Sequence, residues 1–201
     1  NIICTDKTGT LTQNRMTVGA MDVLEGDAEW LAACIALNST AHVEDDGESV
    51  GNPTEAGLLR WVQKSGFNYH KMRRAYMIVE QMPFSTEKKY MSTTAIVNDK
   101  ETFIVKGAPE VVMDMCDITG EERERLNDLL LGYQTQAMRT LAFAVDNKIQ
   151  AIAAINDPIR EDVPGAVSEC LNAGINIKVV TGDTSATAIE IARQIGIWKE
   201  Y

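Results

Sequence analysis

Positive charge is the first thing this chain is short of. Nineteen lysines and arginines stand against 29 aspartates and glutamates, a formal net charge of −10. A uniform basic face is therefore missing, and nucleic-acid binding loses its main support. Lysines placed locally can still hold a phosphate within a negative whole. Cys4, Cys34, Cys116 and Cys170 form no CxxC pair, so neither a zinc site nor a redox motif is indicated. They read as small buried hydrophobes in a reducing compartment. His42 and His70 are isolated and make no metal site between them. No run approaches the roughly 20 apolar residues of a membrane span, and direct membrane contact is not expected. Signal peptide, internal repeat and low-complexity tract are likewise not evident. The chain starts at Asn1 inside an apolar run, without an initiator Met, and stops soon after a helical pattern. It reads as a piece of a longer protein.

What is present is enough apolar residue, 45%, for one or two domains with cores of their own. Asn1 to Thr5 form a short run rich in β-branched residues, followed at once by Asp6-Lys7-Thr8-Gly9-Thr10-Leu11-Thr12. An apolar run ending in an acid, then a glycine turn with hydroxyls, places a carboxylate at the carboxyl end of a buried strand. In open α/β sheets ligands bind there. The plain alternative is a strand followed by an ordinary polar turn. A carboxylate can act as a nucleophile toward a phosphoryl group; Lys7 supplies a neighbouring cation, Gly9 lets the backbone turn with N–H groups toward phosphate oxygens, and Thr10 adds a hydroxyl.

Further along, residues 28–40 read as a helix after Asp27, and residues 42–51 as an acidic, solvated loop. Asn52, Pro53 and Glu55 resemble a capping box opening a helix to about Ser65, stopped by Gly66. Strands are expected at 76–82, 90–97 and 102–106, the last two joined by a turn at 98–100. Gly107-Ala108-Pro109-Glu110 starts a helix; Thr119 with Glu122 caps another that runs to about Met138. A second hairpin follows over 141–145 and 149–155, turning at 146–148. After Asp157-Pro158 the pattern becomes helix, continuous apolar strand (175–180), Thr181-Gly182-Asp183 turn, and a helix whose apolar face is Ala188, Ile191, Ala192 and Ile195. Strand 1–5 and this second half should share one parallel sheet, with 16–156 inserted between them as a unit built on an antiparallel sheet. The expected class is α/β: a partial doubly wound parallel sheet (1–15 and 157–201) with a large inserted α+β domain (16–156).

Several polar residues stand out, each with a plain role beside it. Phe84 after Pro83 is by base rate core. Lys89 and Lys106 would ordinarily be solvated surface, and Glu55 has its helix to cap. Arg139 closes a helix, where a cation complements the dipole. Asp183 precedes a helix start, where an acid is favourable and where backbone N–H groups also suit a phosphate.

Taken together, Asp6–Thr12 (DKTGTLT), Lys106–Glu110 (KGAPE), Asp157-Pro158-Ile159-Arg160 and Thr181-Gly182-Asp183 resemble, in order, the motifs of the P-type ATPases, most closely the Ca²⁺-transporting branch. The likeness covers nearly the whole chain and implies a fold of the haloacid-dehalogenase, Rossmann-like type. It implies that Asp6 accepts the γ-phosphoryl group of ATP as an aspartyl-phosphate, with Lys7, Thr8 and Thr181 beside it. Mg²⁺ would be held by Asp6 and the Thr8 backbone carbonyl. Glu55 would meet the adenine amino group, Phe84 would stack on the ring, Lys89, Lys106 and Gly107 would line the pocket, and Arg139 would reach the phosphates. Thr181, Gly182 and Asp183 would hold the end of the nucleotide that reaches Asp6, and Asp157 and Arg160 would form the hinge. Lys88 stands where relatives often carry Arg and is not ranked as a main contact; Met91 is expected in the core.

The family's later GDGxNDxP loop and the Lys upstream of it do not occur in these residues, nor do its membrane helices and actuator domain. Those segments are the implied partners, the implied location is the cytoplasmic side of a membrane-embedded parent such as a bacterial inner-membrane pump, and this chain alone is expected not to turn over ATP at a useful rate. Two other readings compete. A soluble phosphatase of the dehalogenase type would need an acid/base two residues after the nucleophile, where Thr8 stands. A nucleotide-binding module without turnover describes the isolated chain.

Overall fold

The computed structural model describes residues 1–44, 47–182 and 184–198. Two sheets organise it. The smaller pairs β1 (Ile2–Asp6) in parallel with β10 (Asn176–Val180), in a register that sets Asp6 opposite Val180. The larger is antiparallel and six-stranded, ordered β2 (Thr17–Val23), β9 (Lys148–Asn156), β8 (Arg139–Val145), β7 (Lys100–Gly107), β6 (Tyr90–Val97) and β5 (Met77–Met82). A two-residue ribbon, β3 (His42–Val43) with β4 (Ser49–Val50), stands apart.

Both expected hairpins form, with tighter turns than anticipated. Asn98 and Asp99 both have positive φ (51° and 60°), as do Asp146 and Asn147 (44° and 66°). Two consecutive positive-φ residues match the twist of the strands they join, which is why Asn and Asp occupy them. Lys100 and Lys148, expected in the turns, already pair with Val97 and Val145.

One face of the large sheet carries α1 (Ala28–Leu37), α2 (Pro53–Lys64) and α3 (Tyr69–Ala75). Leu31, Ile35, Leu58, Leu59, Tyr69, Phe143 and Ile155 form that core. The other face carries α4 (Pro109–Asp114) and α5 (Gly120–Thr135), packing Val112, Met113, Leu126 and Leu130 on Val105, Ala142 and Ile152. Strand faces that are buried on both sides explain why β9 reads as an almost unbroken apolar run. The Thr119–Glu122 capping box is present in both directions.

Four expectations are corrected. The Asn52 side chain does cap α2, accepting from the Thr54 and Glu55 N–H groups, but the Glu55 carboxylate does not reach back to it; Glu55 turns inward instead. The helix expected to reach Met138 ends at Thr135, and Arg139 opens β8 rather than closing a helix. The strand at the chain's second half is not continuously apolar: Ile177 and Val179 face the helices while Val180 is 60% exposed. Cys34 is buried as expected, but Cys4 is exposed. Four elements are not legible in the sequence: β2, α3, and the β3–β4 ribbon, which forms at the two ends of the stretch expected as a solvated loop.

The β1–β10 pair is covered on the face of Ile177 and Val179 by α6 (Val163–Asn172) and α7 (Ser185–Gln194), through Val163, Val167, Ile191 and Ile195, with Leu11 in the same cluster. The opposite face leaves Ile2 57% exposed. The parallel part is thus two strands with helices on one side, a mixed α/β arrangement short of a doubly wound sheet.

The chain crosses between the two sheets twice, and the crossings are tied together. Thr12 bridges to Ile159. Gln13 N–H donates to Pro158 O (3.0 Å), and Arg160 N–H to Leu11 O (2.9 Å). Asp157 accepts from the buried Thr12 hydroxyl (2.6 Å) and from the Arg15 N–H (3.0 Å). The Arg160 guanidinium donates to Gly9 O at 3.3 Å. The two residues expected at the hinge therefore clamp the crossing, and Arg160 reaches the loop after Asp6.

Candidate functional site

The site residues fall into two groups. The first stands at the carboxyl ends of the parallel strands. β1 ends on Asp6, and the loop after it folds back so that Thr12 N–H meets Lys7 O (3.1 Å). Thr8 is extended in that loop and Gly9 takes φ +75°, a conformation glycine adopts without strain. The register of β1 on β10 brings the Thr181-Gly182 turn alongside Asp6. Asp183 lies outside the described residues. Asp6, Thr8, Gly9 and Thr10 are exposed, so the carboxylate and its loop are open to a reactant.

The second group lines a cleft of about 570 Å³ on the large sheet. Glu55, Phe84, Lys89, Lys106, Gly107 and Arg139 all face it. Three elements, α2, β7 and β8, and the loop between β5 and β6 contribute these six, from positions up to 84 residues apart in sequence, 139 − 55. Phe84 is 51% exposed, so the core role favoured by base rate does not apply. Lys89 and Glu110 approach at 3.5 Å at the rim, both largely exposed. Thr54, Gln134, Met138, Thr140 and Leu141 complete the wall; none was singled out by sequence. Lys88 points away to Met82 Sδ, and Met91 is core, 1% exposed.

Glu55 and Lys106 form a buried ion pair at the back of the cleft. Lys106 Nζ donates to Glu55 Oε1 at 2.8 Å, to the Asn38 carbonyl and to Ser39 Oγ. Glu55 Oε2 accepts from Thr40 N–H (2.7 Å), Thr40 Oγ1 (3.0 Å) and Ala41 N–H (3.0 Å). Burial would raise the Glu55 carboxyl, but Lys106 and the Thr40 and Ala41 N–H groups outweigh it, and the carboxyl sits below its usual range. It is ionised and can only accept hydrogen bonds. Burial pushes the Lys106 ammonium down to about 8, against the pull of Glu55 and with help from the Arg73 charge.

Arg73 was not foreseen. It stands on α3, outside the cleft wall, and its guanidinium donates to the carbonyls of Ala36 (2.8 Å), Ser39 (2.8 Å) and Ala41 (2.9 Å) while lying 5.0 Å over the Tyr69 ring. The only sequence signal was Asn68, whose side chain caps α3 through the Lys71 N–H.

One consequence is measurable. With a midpoint about two units below that of an exposed lysine, Lys106 is neutral over a range where other ammonium groups are not. Labelling with a small amine reagent, followed at the Lys106 peptide by mass spectrometry, is expected to rise through a midpoint near pH 8. A midpoint above pH 10 would contradict the buried placement.

Comparison with known proteins adds independent findings. Residues 28–162 match the family model described as P-type ATPase, cytoplasmic domain N. The chain is 31% identical, over its whole length, to calcium-transporting ATPase 1 of Lactococcus lactis, of which it covers 27%. It is 32% identical over 98% of its length to calcium-transporting ATPase PAT1 of Dictyostelium discoideum, covering 22% of that protein. Against the calcium-transporting ATPase of Bacillus subtilis it is 29% identical over 97% of its length, covering 28% of that protein. The chain thus spans about a quarter of the length of the relatives it matches. Among the described residues no helix is long and apolar enough to cross a membrane.

Proposed function

Because this chain belongs to the P-type ATPases, we propose that its 570 Å³ cleft binds ATP and that Asp6 accepts the γ-phosphoryl group in the complete protein. The observation that carries this reading is the meeting of Glu55, Phe84, Lys89, Lys106, Gly107 and Arg139 around one cleft. The adenine stacks on the exposed Phe84 ring with its amino group toward the ionised Glu55. Lys106 holds Glu55 in place, and Gly107 lets the wall come close. Lys89 and Arg139 meet the phosphates, where cations offset the triphosphate charge.

In the second group, an Asp6 carboxylate oxygen attacks the γ-phosphorus, the bond from that phosphorus to the β–γ bridging oxygen breaks, and ADP leaves with the electron pair. Lys7 and the Thr181-Gly182 turn stabilise the transferred group. Asp6 and the Thr8 carbonyl offer hard oxygen donors of the kind Mg²⁺ takes, the nucleotide phosphates and water supplying the rest. Bound Mg²⁺ would offset charge on the phosphates. At position 8 a threonine cannot serve as general acid/base, so the acyl-phosphate outlives that of a hydrolase, which suits a pump.

The two groups sit on separate sheets, and the Asp157–Arg160 clamp is the pivot about which 16–156 moves against 1–15 and 157–201 to deliver the γ-phosphate. The parallel pair is the start of a dehalogenase-type, doubly wound sheet that further strands of the parent complete. The parent is a cation pump facing the cytoplasm with these domains, driven by ATP, and a bacterial inner membrane is its proposed location; the names of its relatives favour Ca²⁺ as the cargo.

Titration of the 201-residue chain with ATP tests the cleft. Phe84→Ala is expected to weaken binding by one to two orders of magnitude, since base–aromatic stacking is worth about 1–3 kcal/mol. Equal affinity in the two proteins, or no ATP binding at millimolar concentration, would remove the reading.

A further inference from the structure

We infer that Arg73, which touches no part of the cleft, is the positioning residue that gives the cleft its discrimination between nucleotide bases. The inference rests on the ATP-binding reading and concerns the same site. Its basis is one short segment, 38–41, which follows α1 and is used from both sides. The segment's carbonyls face cations: Asn38 O accepts from Lys106, while Ser39 O and Ala41 O, together with Ala36 O in the last turn of α1, accept from Arg73. Its N–H groups face the anion: Thr40 and Ala41 donate to Glu55 Oε2. The Ser39–Thr40 peptide unit is therefore held at its carbonyl by Arg73 and presents its N–H to Glu55, and the Ala41 carbonyl and N–H are divided between the same two groups.

Arg73 suits this role because its guanidinium is a planar fork. Nε takes Ala36 O, and one Nη takes both Ser39 O and Ala41 O. A helix end leaves its last carbonyls without partners, and the fork satisfies those that α1 and the following turn present. The Tyr69 ring beneath it fixes the guanidinium plane, and Tyr69 is itself fixed by exchanging hydrogen bonds with Val43 N–H (2.9 Å) and Val43 O (3.1 Å). The chain of contact runs from α3 through 38–41 to Glu55 without a gap.

Glu55 Oε2 has three donors in place and Oε1 is held by Lys106, so the carboxylate is fixed where the residue lines the cleft. An ionised carboxylate fixed in this way accepts from an amino group and repels a carbonyl. ATP carries an amino group at position 6 of its base, and ITP carries a carbonyl there. Without Arg73, segment 38–41 is free to turn, Glu55 loses its donors' fixed direction, and the distinction between the two bases fades even though no cleft residue has changed.

The test measures affinities of the 201-residue chain for ATP and ITP by calorimetry, with circular dichroism confirming the fold of each variant. Wild type is expected to favour ATP by at least tenfold. Arg73→Ala is expected to bring that ratio to within about threefold of unity, mainly by weakening ATP. Arg73→Lys, which keeps the charge but not the fork, is expected to fall nearer the alanine variant than wild type. A purely structural loss would weaken both nucleotides alike and leave the ratio intact, which would overturn the inference, as would an unchanged ratio in a folded Arg73→Lys protein. If wild type does not distinguish the nucleotides, the assignment of Glu55 as base reader fails and this inference fails with it. If wild type distinguishes them and the Arg73 variants do so equally, the assignment stands and only the inference falls.

Discussion

Glu55→Ala is expected to cost the fold about 3–5 kcal/mol, the range seen when one partner of a buried ion pair is removed. Both side chains of the pair are only about 5–6% exposed, so solvent does little to screen the loss. Two penalties combine. Lys106 is left as a buried ammonium whose nearest partners are the Asn38 carbonyl, Ser39 Oγ and Met91 Sδ. Thr40 N–H, Thr40 Oγ1 and Ala41 N–H lose their acceptor at the same time. Each unsatisfied buried donor costs on the order of 1–3 kcal/mol, part of which relaxation of segment 38–41 recovers. Against a typical domain stability of about 5–15 kcal/mol the change is large, and urea unfolding should show a clearly lowered midpoint.

Glu55→Gln keeps an oxygen for the Thr40 and Ala41 donors and should cost less. Lys106→Met in the Glu55→Gln background should recover stability relative to Glu55→Gln alone, because it removes the uncompensated charge. That sign distinguishes a buried pair from two independent surface groups, whose effects would add. Lys106 becomes still easier to deprotonate in Glu55→Ala, since the carboxylate that raises its affinity for the proton is gone. The group's folded value, about 8 in the native chain, lies below its unfolded one of about 10.4. Its contribution to stability therefore grows as pH rises from about 8 toward 10.4 and is smallest below that window, because there the unfolded chain holds a proton the folded chain holds less tightly.

The second large effect is expected from Gly107→Ala. A Cβ built on Gly107 would stand 2.5 Å from Lys89 O, 2.6 Å from Tyr90 Cβ and 2.8 Å from Tyr90 Cα. Two of these three are backbone atoms, Lys89 O just before β6 and Tyr90 Cα at its first residue, and they cannot swing aside. The mouth of the β6–β7 pair, where Tyr90 sits opposite Gly107, must open. Lys89 O also accepts from Ala108 N–H at 2.9 Å, and Lys89 itself sits at φ +59°, so there is little slack in the rim. Overpacking of this kind costs roughly 1–3 kcal/mol. ATP affinity is expected to fall at least tenfold, because Lys89, Lys106 and the turn into α4 are displaced together. Gly132→Ala is the control. It sits in α5 with nothing within 4 Å of the added carbon, and the substitution should stabilise by up to about 1 kcal/mol without changing affinity. If Gly107→Ala binds ATP as wild type does, the close approach is not what shapes the cleft.

How much of this was legible beforehand can be judged element by element. The β6–β7 and β8–β9 hairpins were readable because alternation and turn residues are local signals, and the positive-φ pairs Asn98-Asp99 and Asp146-Asn147 require residues of that kind. The Asp6 loop was readable because its residues are contiguous. β2 was missed: its sequence TVGAMDV contains Gly19, where the pairing with β9 slips between Val18 and Ala20, and a bulge erases the alternation that marks a strand. α3 was missed because seven residues rich in cations show no apolar period. Arg139 was placed on a helix because a helical pattern precedes it, yet the chain breaks at Ala137 with φ +58° before β8 begins.

The sequence by itself determined the two polar loops and the local elements that present them: a strand ending on Asp6, a glycine-containing turn, an Asn-capped α2 beginning at Pro53, and KGAPE at a strand end. These follow from interactions among residues a few positions apart. Tertiary structure alone decided what those groups do. Glu55 had a satisfactory local role as the return half of a capping box, and the fold assigns it instead to Lys106, Thr40 and Ala41, 51, 15 and 14 residues away. Arg73, unremarkable in its own segment, becomes the partner of three carbonyls around the end of α1. The physical reason is burial. In solvent, water would satisfy Glu55, Lys106 and the end of α1 separately, and local capping would suffice. Once the helices pack on the sheet, water is excluded, and each charge and each helix-end carbonyl must find its partner among groups that only the long-range fold brings together.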